Sequence, residues 1–167
     1  MPNVSSIPVP RCRPELHEGK TRGGSGSDVC LFFARGACHL GHKCNRRHRL
    51  PTEDGLDVQF DCFGRQREAT EGPDQNGPGS VLLENRTIFV GDFGVDCTED
   101  TLWQEFEVFG EIVQLRFLPQ KSIAFVQYNW RSSAEFAKEA MSQQVVGEGS
   151  VVSVRWAKVM KRCKCLS

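Results

Sequence analysis

Four residues within a span of nineteen could hold a metal ion. Cys30, Cys38, Cys44 and His48 follow the spacing C-x₇-C-x₅-C-x₃-H. Three thiolates and one imidazole form a closed tetrahedral donor set for a single Zn²⁺. Four protein ligands leave no position for water or substrate, so the expected ion is structural and no catalytic residue is assigned. His39 and His42 are spare imidazoles inside the cluster, but the three-residue gap favours His48. Few aliphatic residues lie between the ligands, so metal binding must supply folding free energy that burial cannot. Gly36 and Gly41 allow the short chain to turn tightly around the ion. Nothing signals the secretion that a disulfide framework would need; Cys12, Cys62, Cys97, Cys163 and Cys165 remain outside the site, and Cys163 and Cys165, one residue apart, read as free thiols.

This pattern resembles the CCCH zinc fingers, which mostly bind single-stranded RNA by stacking bases on aromatic residues beside the ligands. Phe32 and Phe33 follow the first ligand, and one of them is expected to pack on the metal site. Leu40 and Arg46 stand where such fingers often carry aromatics, which turns the expectation away from base reading. Arg35, Lys43, Arg46, Arg47 and Arg49 point instead to phosphate contact and guanidinium stacking.

The elements become readable from residue 88. Ile88 to Gly91 reads as a short strand. Thr98 caps a helix with acids in its first turn, Leu102, Phe106 and Phe109 on one face, and Gly110 as its stop. Ile112 to Phe117 alternates as a strand, and the turn LPQK leads into another over 122–128. Ser132 and Glu135 form a capping box for a second helix running to about Met141. Val151 to Trp156 is the last strand. The order βαββαβ predicts a ferredoxin-like fold. The fold class is therefore α+β, with a small zinc-nucleated, loop-rich domain preceding that unit.

Two segments of the unit resemble the signatures of an RNA recognition motif, IFVGDF at 88–93 and KSIAFVQY at 121–128. Strand alternation sends Phe89, Lys121, Ile123, Phe125 and Gln127 to the open face. It sends Ala124, Val126 and Tyr128 toward the helices, which makes Tyr128 a core residue. Ile123 replaces one stacking aromatic and Ser122 replaces a glycine, so weaker stacking is expected than on a three-aromatic face. Arg155 alternates onto the open face, with Lys158, Lys161 and Arg162 near its edge. Trp156 is expected to pack inward, and Trp103 and Trp130 are taken as packing residues.

The whole chain has 167 residues and no net charge, but the charge is segregated. Residues 1–51 hold nine Lys and Arg against three acids, and residues 52–87 hold three against eight. Between Arg155 and Lys164 there are five basic residues and no acid. A polyanion responds to local potential, so these basic ends outweigh the neutral sum. No apolar run approaches the length of a membrane span. The start, MPNVSSIPVP, lacks the features of a secretory signal, so a soluble intracellular protein is expected. An enzyme such as a zinc nucleobase deaminase would need a PCxxC element and an open metal position, and the sequence has neither.

Residues 1–10 are expected to be a disordered tail, 72–87 a linker, and 161–167 a basic tail. The flanks RCRPELHEGKTRGG and DCFGR are too polar to fold alone and are expected to pack around the finger. The segments RCRPELHEGKTRG, CLFFARGACHLGHKCNRRHRLP, DCFGRQRE and NRTIFVGDF occur in an order that resembles the Cwc-two type of pre-mRNA splicing factor. Animal relatives of that family are RNA-binding-motif proteins of the spliceosome. The resemblance implies a Torus domain (11–71) enclosing the CCCH finger (30–48) and abutting an RNA recognition motif (88–160). It implies a nuclear, non-enzymatic protein holding one zinc ion, monomeric within a large ribonucleoprotein. Its implied partners are U6 small nuclear RNA, the intron and the Prp-nineteen complex, with no small-molecule substrate. The RNA contacts expected on finger, flank and sheet are Phe32, Phe33, Arg35, Arg46, Arg47, Arg65, Phe89, Lys121, Phe125 and Arg155, forming one composite basic surface. The alternative is a peptide-binding module of the U2-auxiliary-factor small-subunit type. Such modules carry an Arg-x-Phe element before the last strand, where this chain reads SQQVVGEGS.

Overall fold

A computed structural model describes residues 10–24, 26–52, 57–68, 77–148 and 151–158. The expected tail at 1–9, residues 72–76 of the expected linker and the basic tail at 161–167 lie outside the described residues.

The second half folds as β1 (Thr87–Gly91), α3 (Glu99–Glu107), β2 (Ile112–Leu118), β3 (Ile123–Tyr128), α4 (Arg131–Met141) and β4 (Ser153–Trp156). Its sheet runs β2-β3-β1-β4 with antiparallel neighbours, which is the ferredoxin-like arrangement. Thr98 caps α3 by accepting the N–H of Thr101 at 3.2 Å. The turn between β2 and β3 closes with Pro119–Lys121 as one 3₁₀ turn and Ser122 at φ 51. Lys121 therefore sits in that turn, exposed, and not in the strand. The last strand is shorter than expected, with Val151 held only by a bridge to Val145.

Alternation fills the helix side of the sheet with Ile88, Val90, Ala124, Val126 and Tyr128, all buried. Tyr128 donates its hydroxyl to the carbonyl of Phe106 at 2.7 Å, so burying the phenol costs little. Trp156 is buried as expected. Trp103 and Trp130 are half-buried.

The first half is built from turns and two one-turn helices, α1 (Pro14–His17) and α2 (Leu31–Ala34). Its flanks close around the finger through backbone pairs: Gly19 with His48, Val29 with Arg47, and the N–H of Val29 with the carbonyl of Cys62. Gly36 adopts φ +70, and a Cβ there would lie 2.4 Å from the backbone of Arg11. Only glycine fits where the N-terminal flank crosses the finger.

The helix α4 joins the two halves. All eleven of its residues are buried, although six of them are polar or charged. One side faces the sheet and the other faces the finger half. Phe136 lies at the junction, with its ring centroid 5.7 Å from Phe33, 6.0 Å from Phe63 and 5.7 Å from Phe109. The two halves therefore share one apolar cluster.

The capping box expected at Ser132 and Glu135 does not form. The helix starts at Arg131 with Trp130 as an N-cap that makes no side-chain cap bond. Glu135 is instead drawn into the seam. Its carboxylate accepts from Arg67 Nε at 3.0 Å, Arg131 Nε at 3.2 Å and the backbone N–H of Cys62 at 2.9 Å. The expected linker is also, from Gly77 on, a packed strap. Carbonyls of Pro78, Ser80, Leu82 and Asn85 accept from the Arg131 guanidinium, which lies 3.7 Å over the Trp156 ring.

A buried carboxylate that neutralises a buried guanidinium is strongly destabilising to remove, because Arg67, fully buried beside it, loses that counter-charge. Glu135→Ala is expected to lower stability by about 3–5 kcal/mol, read from urea denaturation. Glu139 carries the pH dependence of the seam. Burial pushes its carboxyl up, but Arg65 and Lys138 outweigh that and hold it below its ordinary 4.5. A depressed folded-state pKa gives stability that is complete above the ordinary value and lost as pH falls through the lower one. Thermal denaturation from pH 6 to 3 should show wild type losing more stability than Glu139→Gln below about 4.5.

Candidate metal centre and nucleic-acid interface

The four expected metal ligands are brought together. The donor atoms of Cys30, Cys38, Cys44 and His48 all lie within 4.8 Å of one another. Cys30 caps α2, its Sγ accepting the N–H of Phe33 at 3.4 Å. The Sγ of Cys44 accepts the N–H of Arg46, also at 3.4 Å. Such backbone donors favour the thiolate form that a metal requires. His48 is buried, and its Nε2 has no hydrogen-bond partner. Burial pushes the Cys30 thiol up to about 11, so a cation is needed to hold the thiolates at neutral pH. An orphaned imidazole nitrogen among three soft sulfurs fits a metal ion, and this cluster can hold one.

Phe33 corrects one expectation. It is 2% exposed and stacks on His48 at 5.1 Å with an interplanar angle of 11°, so it braces the ligand and is closed to RNA. Phe32, one residue earlier, is 61% exposed.

The register sorts the open face of the sheet into rows. Arg116 pairs with Phe125, Phe125 with Phe89, and Phe89 with Arg155. One line of four side chains thus crosses all four strands, with a guanidinium at each end and two rings between. The rings meet edge to face at 5.7 Å and 68°. The Arg155 guanidinium lies 4.5 Å over Phe89. Gly91 makes room for this ring, since a Cβ there would meet Phe89 at 2.9 Å. On one side of the line lie Leu118, Ile123, Gly91 and Ser153, and on the other Gln114, Gln127 and Thr87. Among the described residues these half-buried aromatics have no covering element and Arg116 and Arg155 have no acidic partner, a surface that suits stacked bases and phosphates.

Arg116 was not foreseen. Alternation in IVQLRFL already placed it outward, but its alignment with Phe125 follows only from the register that the short LPQK turn sets.

The basic residues of the finger half divide by partner. Arg65 is tied to Asp61 at 2.8 Å and Glu139 at 3.0 Å, which gives it a structural role in the seam. Arg35 reaches Glu139 at 3.3 Å but stays half exposed. Arg46 donates to the carbonyl of Phe63 at 2.9 Å. Arg47 is half-buried, with its Nε unpartnered. Lys43 and Arg49 are exposed without ion pairs among the described residues.

The layering corrects the idea of one continuous surface. The finger packs on the side of α4 away from the sheet, whereas Phe89 and Phe125 lie on the opposite face of the sheet. A strand touching both must pass around an edge.

The comparisons agree with this division. The Torus domain family matches residues 4–65 and the RNA recognition motif family matches residues 88–151. The first match falls on the half that carries the Cys₃His cluster and the second on the half that carries the four-stranded sheet. Beyond these matches, the chain is similar to proteins named as Cwc2 pre-mRNA-splicing factors. It is 40% identical over 153 residues to "Pre-mRNA-splicing factor cwc2" of Dictyostelium discoideum, covering 88% of this chain and 29% of that protein. It is 42% identical over 141 residues to "Pre-mRNA-splicing factor CWC2" of Debaryomyces hansenii, covering 83% and 42%. The chain thus spans less than half the length of these relatives. The solved RNA-recognition-motif domain of S. pombe Puf1 is 24% identical with a TM-score of 0.41, covering 44% of this chain and 99% of that one.

The metal cluster supplies a direct check. Cys38→Ser, or chelation at neutral pH, is expected to unfold the region from residue 11 to 68 while β1 to β4 persist. Amide hydrogen exchange resolved by residue would show protection lost in the first half and kept in the strands.

Proposed function

We propose that the chain is an RNA-binding splicing factor of the nucleus that performs no chemistry and holds a particular RNA conformation in place. One observation carries the reading: the row Arg116, Phe125, Phe89 and Arg155, in which rings for stacking lie between cations for phosphates. Phosphate contacts position an RNA strand, and stacking favours unpaired bases over duplex. The similarity to proteins named pre-mRNA-splicing factors supports the splicing context.

On this reading one Zn²⁺ is held by Cys30, Cys38, Cys44 and His48 and nucleates the Torus domain, placed at 11–71 around the finger at 30–48. The recognition motif, placed at 88–160, presents Phe89, Phe125, Arg155 and Lys121 to RNA. Phe32, Arg35, Arg46 and Arg47 add contacts on the finger side. U6 small nuclear RNA and the intron are the RNA partners, and the protein links them to the Prp-nineteen complex as a monomer within the particle.

The test is equilibrium binding of the zinc-loaded chain to single-stranded RNA across a salt series. Affinity should fall steeply with salt, since each phosphate contact releases counterions. Replacing both Phe89 and Phe125 by alanine should weaken binding by about tenfold or more, as stacking is worth about 1–3 kcal/mol per base. Unchanged affinity in that variant would refute the sheet as the contact.

A further inference from the structure

The seam between the finger half and α4 forms an open cleft of about 500 Å³ that no role above uses. Its walls include Asp28, Arg47, Asp57, Phe60, Arg67 and Ser132. Several polar groups there are already engaged, since Arg67 is spent on Glu135 and on the carbonyl of Asp57. Two are not. The hydroxyl of Ser132 is buried without a partner, on a residue only 3% exposed, and Arg47 Nε is buried without one as well. Leaving such groups unpaired is costly, and a polar ligand would satisfy both. Asp57 uses Oδ1 for the N–H groups of Gln59 and Phe60, which leaves Oδ2 as an acceptor. Phe60 adds a large, partly exposed ring.

We infer that this cleft is a second RNA contact, a pocket for one unstacked nucleobase, and that guanine is the base its lining fits. Guanine offers two acceptors, O6 and N7, on one edge and two donors, N1–H and the 2-amino group, on another. The Arg47 guanidinium matches the first edge as a fork of donors. A carboxylate oxygen from Asp57 or Asp28 matches the second. Phe60 supplies a stacking surface. The inference rests on the reading that the chain binds RNA, but not on the sheet being where it binds. It places a contact on the finger side of α4, where the open sheet face cannot reach.

The test titrates the zinc-loaded, ¹⁵N-labelled full chain with GMP, AMP, CMP and UMP, following the Arg47 Nε–H resonance. GMP should shift that resonance and bind about tenfold or more tighter than the other three, the discrimination expected of a bidentate arginine. Phe60→Ala and Arg47→Lys should each weaken GMP by about tenfold, with zinc content and melting curve unchanged. Ser132→Ala, which removes only a hydroxyl, is the check if either variant loses zinc, and it too should weaken GMP. The Phe89/Phe125 double alanine variant should keep the GMP response. An equal response to all four nucleotides, or no shift at Arg47, overturns the pocket. So does a GMP response lost in the double variant but kept in Phe60→Ala. RNA strands binding normally while GMP fails would remove the pocket alone. GMP binding without any sheet contribution to RNA affinity would remove the sheet reading alone.

Discussion

The fold depends on how one carboxylate is satisfied. Glu135 lies in the middle of α4, and nothing within the sheet-and-helix unit could neutralise it fully. Arg131, one turn earlier, is shared with the carbonyls of the strap and the face of Trp156. The remaining cation, Arg67, and a backbone N–H at Cys62 come from the finger half. A buried ion pair adds little net stability over an apolar contact of the same shape, but it penalises every arrangement that leaves one partner alone. Docking of the two halves is thereby fixed in one register.

The metal cluster and the seam are coupled through rings. His48 stacks on Phe33, Phe33 packs on Phe136, and Phe136 sits in the helix that carries Glu135. Whatever fixes the imidazole also fixes the outer surface of α4. The inner surface of the same helix packs on β1, β3 and β4, and β1 and β3 carry Phe89 and Phe125 outward. The ligand cluster and the aromatic row are therefore linked through packed side chains, although they face away from each other.

Much of this was legible in the sequence. The ligand spacing identified the metal cluster, because tetrahedral coordination demands particular residue types at short loop distances. Period-two alternation placed Phe89, Phe125 and Arg155 on one face and Tyr128 in the core, and the sheet has that arrangement. The misreadings share one cause. Ser132 and Glu135 fit a capping box by spacing, and a local pattern carries no information about a neighbour that arrives from about seventy residues away. For the same reason Arg65 looked like a free cation, and GPGS looked like a linker when its carbonyls hold Arg131. Phe32 and Phe33 could not be told apart until the one-turn helix α2 fixed which of them faces His48.

A helix wrapped on every side has a consequence for how such proteins can diversify. Beads-on-a-string RNA binders gain new targets by duplicating, deleting or exchanging modules across flexible joints. Here separating the pieces parts Glu135 from Arg67, so a new neighbour for either piece would have to supply a matching charge. Point changes on the outer faces leave that charge match intact, whereas exchange of a whole module does not.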